Sequence, residues 1–323
     1  MSPTNPALSP AALSHILDAL ESVSPATVKA LSEATGLGQT TISRAAALGI
    51  SRGALAHQRS SDPISGRPCR VLVPAKGLLL PVLTLTRGYG SVRVVDTELN
   101  PVGTAVTELD PTAPPEEAAR LLARRCLTLV RGLGSAGSVT APVLLVGQGL
   151  SADILREAVT DTLGVQPLAV MRHAEAVARA VTVRNFTPNA ASLLFVSVGE
   201  DAHAFLLLRD GEGRWVPSSL GENLTPALCR TLRGTAPSAE GIRRGTAVFL
   251  TELCRFIRPD RIEIEDPRGV FPDGGVLASL LPSGVEAEVV SNRDGLTVAE
   301  EGAALTGRRM LWEKVLGKDI GRK

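Results

Sequence analysis

The run Gly36-Leu37-Gly38-Gln39-Thr40-Thr41-Ile42-Ser43-Arg44-Ala45-Ala46-Ala47-Leu48-Gly49 carries more structural information than any other stretch of the chain. Its glycines bracket a helix: Gly36 closes the preceding one, and Gly49 is expected to end this one. Between them the inward positions are small or apolar, and hydrogen-bonding side chains crowd the start. Upstream, Ser24-Pro25 reads as an N-cap and first-turn pair, followed by Val28, Leu31 and Ala34 on one face. Ser9-Pro10 gives the same signal one helix earlier, with Leu13, Ile16, Leu17 and Leu20 recurring at helical spacing. Three helices are predicted, the last two joined by a glycine-containing turn, which is the pattern of a helix-turn-helix.

In that motif the second helix lies in the DNA major groove, with the side chains of its N-terminal part at the base edges. Gln39, Thr40, Thr41, Ser43 and Arg44 stand at those positions. Glutamine can make two hydrogen bonds to adenine, arginine can read guanine or hold a phosphate, and hydroxyls reach either. Further on, the polar turn His57 to Pro68 is set between Ala54-Leu55 and the β-prone Cys69-Arg70-Val71-Leu72-Val73, the form of a wing. Arg59, Arg67 and Arg70 would bring charge to phosphates or to the minor groove. The competing reading is a three-helix bundle for protein contacts, whose polar third-helix face is simply solvated.

A length of 323 residues asks for two or three units rather than one. A net charge of +1 gives the whole molecule no attraction for a polyanion, so DNA binding must come from a local basic surface. Cys69, Cys126, Cys229 and Cys254 are too scattered for a disulfide framework or a zinc site. With no leader-like start and no long apolar run, the sequence points to a reducing cytoplasm.

Beyond the wing, Val82 to Thr86, Ser91 to Asp96 and the segment around Val102 to Val106 read as three short strands. Pro114-Pro115-Glu116-Glu117 then opens an amphipathic helix through Leu121, Leu122, Cys126 and Leu129, ahead of the strand Val143 to Gly147. The theme returns near residue 190. Strands at Ser192 to Val198 and Ala202 to Leu208 precede a helix from Ala239 to Phe256, a strand from Arg261 to Glu265 and another helix. A strand from Glu286 to Ser291 and a final helix from Val298 to Val315 follow. Two related halves are implied.

The order of these features resembles the ROK family of repressors and sugar kinases. It runs from the helix-turn-helix through Gly66-Arg67-Pro68 at the wing exit, a three-strand start and the strand-helix segment Pro167 to Ala180, to a last helix with Glu301-Gly302-Ala303-Ala304. The resemblance implies an α/β fold, a winged helix-turn-helix followed by a two-lobed actin-like ATPase body. The expected domains are residues 1–74, a first lobe at 75–185 onto which a helix at 295–317 packs back, and a second lobe at 186–323.

Against the family's kinases the chemistry looks dismantled. Thr84 stands where the metal-associated aspartate would be, and Thr86-Arg87 where glycines would be. His173 falls at the position of the catalytic aspartate, where an ordinary histidine is expected. The second phosphate loop keeps only Gly199, followed by Glu200 and Asp201, which would repel a triphosphate. Asp266-Pro267-Arg268 replaces the adenine-side glycines, Gly274-Gly275 being a displaced relic or a plain turn. Gly147-Gln148-Gly149-Leu150-Ser151 is the nearest remnant of the sugar loop, with only about twenty residues between the Val143 strand and Pro167. The expectation is therefore a homodimeric DNA-binding regulator, with repression as its direction, double-stranded DNA as its partner, and no catalytic residue, metal or cofactor. A small effector could occupy the cleft between lobes. A divergent ATP-dependent sugar kinase using His173 and Asp201, and a scaffold protein that binds no DNA, are the alternatives.

Overall fold

The computed structural model describes residues 10–51, 54–59, 70–75, 78–133, 141–184, 190–199, 202–221, 223–235, 237–271, 281, 286–290 and 295–315. Three helices open it: α1 (Pro10–Val23), α2 (Val28–Thr35) and α3 (Gln39–Ser51). Strands β1 (Leu55–Arg59) and β2 (Arg70–Pro74) follow as an antiparallel pair. The apolar faces foreseen for the helices meet in one core, with Leu13, Ile16, Leu20, Leu31, Ile42 and Leu72 buried together, although Ala34, expected on the inner face of α2, is exposed.

Two boundaries differ from the sequence reading. Helix α2 starts after Thr27 rather than at Ser24-Pro25, because Ala26 exchanges two backbone hydrogen bonds with Leu72 of β2 (2.8 and 3.2 Å) and so belongs to the sheet edge. Thr27 then caps the helix, its hydroxyl oxygen accepting the Ala30 N–H at 3.1 Å. Helix α3 does not stop at Gly49 but runs to Ser51. Gly49 is instead a contact point: a Cβ there would stand 2.7 Å from a methyl of Leu55, so the missing side chain lets β1 lie against α3.

Two five-stranded sheets make up the body. The first contains β3 (Leu80–Leu85), β4 (Tyr89–Val95), β5 (Pro101–Glu108), β6 (Val143–Val146) and β7 (Ala169–Arg172), in the order β5-β4-β3-β6-β7. Its helices are α4 (Pro115–Gly132), α5 (Ala152–Leu163) and α6 (His173–Arg184). The second contains β8 (Ser192–Val198), β9 (Ala202–Arg209), β10 (Trp215–Pro217), β11 (Arg261–Glu265) and β12 (Glu286–Val290), in the order β10-β9-β8-β11-β12. Helices α7 (Leu224–Arg233) and α8 (Ala239–Phe256) lie between its strands in sequence, and α9 (Val298–Val315) ends the described chain. In both sheets the first three strands pair antiparallel and the last two join in parallel. The halves share one topology, as the sequence implied.

Burial explains the strand types. All six residues of β3 are buried, as befits the centre of a sheet covered on both faces, whereas β5 alternates half-buried and exposed residues at an edge. Helix α9 lies against α6, β3 and β6, and small residues make that possible. A Cβ on Gly302 would overlap the Ala176 carbonyl of α6, and one on Gly307 would run into Val143 and Leu80. At its other end α9 places Trp312, 1% exposed, in the core of the N-terminal module. The Arg308 guanidinium stacks on the Trp312 ring at 4.9 Å and donates to the Thr97 carbonyl of the first lobe at 3.1 Å.

Cys126 and Cys254 are free thiols, and burial pushes Cys126 up to about 12, so it serves as a core filler rather than a nucleophile. Among the described residues no three His, Cys, Asp or Glu side chains are grouped to hold a metal, and no helix is long and apolar enough to cross a membrane.

Candidate nucleic-acid interface and interlobe cleft

The turn between α2 and α3 is fixed by its own side chains. Gly36 takes a left-handed conformation (φ +70°) and its N–H reaches the Ser32 carbonyl at 3.0 Å. Ser32 donates its hydroxyl to the Leu37 carbonyl (2.6 Å), and Thr35 donates to Leu31 (2.6 Å) while accepting the Leu37 N–H (3.2 Å). Leu37 packs on the module's core, which sets the entry angle of α3. The result is an amphipathic α3: Ile42, Ala45, Ala46 and Gly49 are buried, and Gln39, Thr40, Thr41, Ser43 and Arg44 are all exposed. The five residues singled out from the sequence are thus brought together at the outer, N-terminal part of one helix.

Arg59 and Arg70 are register partners at the end of the β1–β2 ladder that leads into the connection 60–69, both exposed. Arg67 lies outside the described residues.

A second feature lies between the lobes. Two adjoining cavities of about 250 and 420 Å³ share His173, His203 and Phe205. His173 opens α6, buried rather than superficial, with its Nδ1 3.2 Å from the Val146 carbonyl. Its ring stacks on His203 with centroids 4.6 Å apart, and His203 stacks in turn on Phe205. Burial, with His173 as a neighbour, holds the His203 imidazole well below its ordinary range. On the opposite wall, Thr297 and Glu300 form a capping box for α9, the threonine hydroxyl accepting the Glu300 N–H (3.1 Å) and the Glu300 carboxylate accepting the Thr297 N–H (3.0 Å). The same carboxylate accepts from Ser91 (2.7 Å), Thr84 (3.4 Å) and Arg93 (3.5 Å). Glu265, at the end of β11, accepts the Val298 N–H at 2.6 Å, and burial pushes its carboxyl up to about 7.

Sequence reasoning named His173 in this cleft but missed Glu265, Glu300 and His203. The signal for the first two was present, in carboxylates set within an apolar strand and at a helix start. His203 has no such mark, because it stands in a strand that only folding brings against α6.

The segments that the sequence reading set against kinase loops have protein partners. Thr84 spends its hydroxyl on Glu300, and Thr86 donates to the Tyr89 carbonyl at 3.1 Å to close the β3–β4 turn. Arg172 fills the loop after β6, donating to the carbonyls of Gly147 (3.2 Å) and Leu150 (2.7 Å). After β11, the Asp266 side chain accepts the Phe271 N–H at 2.5 Å, and Gly269 alone takes the left-handed conformation (φ +64°) among the turn residues 266–270.

No protein-family model matches the chain, and no curated protein sequence matches it. Solved structures do. A ROK family transcriptional regulator, described as a homolog of the E. coli MLC protein, superposes with a TM-score of 0.59 at 14% identity, covering 95% of this chain and 98% of its own. A ROK family glucokinase from Streptomyces griseus, solved with glucose and AMPPNP, is 15% identical over 72% of this chain and 99% of its own, with a TM-score of 0.45. A ROK hexokinase from Thermus thermophilus is 18% identical over 71% and 97%, with a TM-score of 0.42. At such identities the likeness is one of fold. The chain has the fold of a ROK-type regulator, over a span that takes in the N-terminal module as well as both lobes.

Proposed function

We propose that this protein is a sequence-specific DNA-binding transcriptional regulator, with repression as its direction, and that its kinase-like body serves pairing and effector sensing rather than catalysis. The observation that carries this is the outer part of α3. Five consecutive-turn residues, Gln39, Thr40, Thr41, Ser43 and Arg44, are exposed together on a helix whose other face is core, beside a wing that ends in two arginines. A module needing only solvation has no use for that concentration of base- and phosphate-bonding groups, and a net charge of +1 leaves attraction to DNA to this local surface.

Support for an inactive body comes from what the cleft side chains already do. The positions that would hold metal and phosphates carry Thr84 and Thr86, both committed to protein partners, and Arg172 occupies the sugar-side loop. Domains at residues 1–74, 75–185 and 186–323 fit this division of labour, as does a reducing cytoplasm.

The test is capture of genomic fragments by the purified protein, followed by titration of the best fragment at two salt concentrations. The expected result is a recurrent palindrome bound on the order of a thousandfold more tightly than random DNA. Weak, uniform and steeply salt-dependent binding, or none, would sink the reading. ATP turnover with a sugar, abolished by His173→Ala, would instead establish the kinase alternative.

A further inference from the structure

The smaller of the two interlobe cavities, about 250 Å³, has walls of two kinds. Aromatic faces come from both lobes: Tyr89 from the first, and Phe195, His203 and Phe205 from the second. His203 and Phe205 lie stacked with centroids 5.8 Å apart, and His173 extends the stack by a third ring. Burial keeps His203 uncharged at neutral pH, so its ring adds a π face and no competing positive charge. The other wall holds the carboxylates of Glu265 and Glu300, 2% and 1% exposed.

The two carboxylates are not alike. Glu300 has a base beside it, Arg93 at 3.5 Å. Glu265 forms no ion pair among the described residues, and Arg184, whose charge reaches it, is engaged with Glu301. Arg268 also borders the cavity but is exposed, where water and salt screen it. A negative charge sunk among rings is costly unless a positive one answers it.

The oxygens decide what kind of cation fits. Glu300 already accepts four protein donors, from Thr297, Ser91, Thr84 and Arg93, and Glu265 accepts two, from Val298 and Ser197. Most of their lone pairs are therefore spent. A primary ammonium has three N–H donors to satisfy, and a metal ion needs bare oxygens. A methylated ammonium asks for neither, because carboxylate charge and ring faces hold it without hydrogen bonds.

We infer that this cavity binds a small methylated ammonium compound, seated against Glu265 and enclosed by Tyr89, Phe195, His203 and Phe205. Its volume lies just below the usual range of ligand pockets, roughly 300 to 1,000 Å³, which limits the occupant to a headgroup of choline's size. The assignment rests on the effector-sensing part of the proposed function and supplies the chemical class of the effector.

The test is calorimetric titration of the full chain with choline chloride at about pH 8, where Glu265 is ionised, against sodium chloride at equal ionic strength. Choline is expected to bind saturably and sodium chloride not at all. The neutral carbon isostere of choline, with a tert-butyl group in place of the trimethylammonium, should bind about tenfold more weakly or worse. Glu265→Gln keeps the shape of the side chain and removes its charge, so choline should weaken by about tenfold or more while the isostere is unaffected. Unchanged isostere binding also shows that the variant is folded. Absence of saturable choline binding, an isostere that binds as well as choline, or a Glu265→Gln variant that binds choline normally would each overturn the assignment. A chain that binds choline but no DNA keeps the site and removes the regulator reading. One that grips a palindrome while its cleft ignores choline does the reverse.

Discussion

Arg59 and Arg70 face each other directly across the β1–β2 ladder, two like charges in register at the exposed end of the wing. In an isolated hairpin such a pair costs a little stability; on the proposed DNA-binding reading it would anchor the wing to a phosphate backbone. Arg59→Ala is expected to weaken binding to all DNA alike and to reduce the salt slope by about one. Titrations of the selected fragment and of random DNA at several salt concentrations measure this. Loss confined to the selected fragment would mean that Arg59 reads bases.

Arg44 is the complementary case. It is exposed on α3 beside Gln39 and Thr40, and the proposed function places it at a base edge. Arg44→Ala should cost about 1 to 3 kcal/mol of affinity for the selected site and leave random DNA nearly unchanged. Competition binding resolves the two, and an equal loss on both would assign the residue to phosphate.

These positions were legible in sequence because an amphipathic helix bounded by glycines states its own inside and outside. Most strands of the body were legible as short apolar or alternating runs, and α8 as a long periodic one. Helices α5 and α7 carry weaker sequence signals: α5 follows a glycine-containing loop that drew the reading to itself, and α7 is only ten residues long. The start of α2 was misplaced because Ser24-Pro25 carries the local signal of a cap while Ala26 is claimed by a strand forty-six residues later. What sequence could not show at all was convergence: Glu300, Ser91 and His203 acquire their meaning only where the lobes meet.

Close packing makes the next expectation a matter of volume. Gly302 on α9 lies so near Ala176 that a methyl group has no room beside the carbonyl. Gly302→Ala should destabilise the body by roughly 3 kcal/mol or more, seen as a lower midpoint in urea unfolding. Gly295→Ala has no such neighbour in its way, and any loss there comes only from its positive φ, +82°.

The Glu265 carboxyl supplies a pH signature. Its folded value of about 7 lies above the ordinary 4.5, so the folded state holds a proton that the unfolded chain releases between those limits. The stabilisation is full below pH 4.5 and is lost as pH rises toward 7, amounting to on the order of 3 kcal/mol across the window. His203, held low, works oppositely below 6.5. Comparing Glu265→Gln with the unaltered protein isolates the carboxyl: the variant's relative stability should climb from pH 4.5 to 7 and then level. A difference that is flat across that range would remove Glu265 as the source.

Trp312 completes a core whose other members lie almost entirely within residues 12–72. The three helices and the β1–β2 pair are therefore made well before the ring that joins their core, which arrives only after both lobes have been synthesised. On the proposed DNA-binding reading, a chain stopped short of α9 would carry α3 on an incomplete core and grip DNA less firmly than one carried through to it. On that reading, the order of synthesis itself withholds DNA binding from molecules that have no body to govern it.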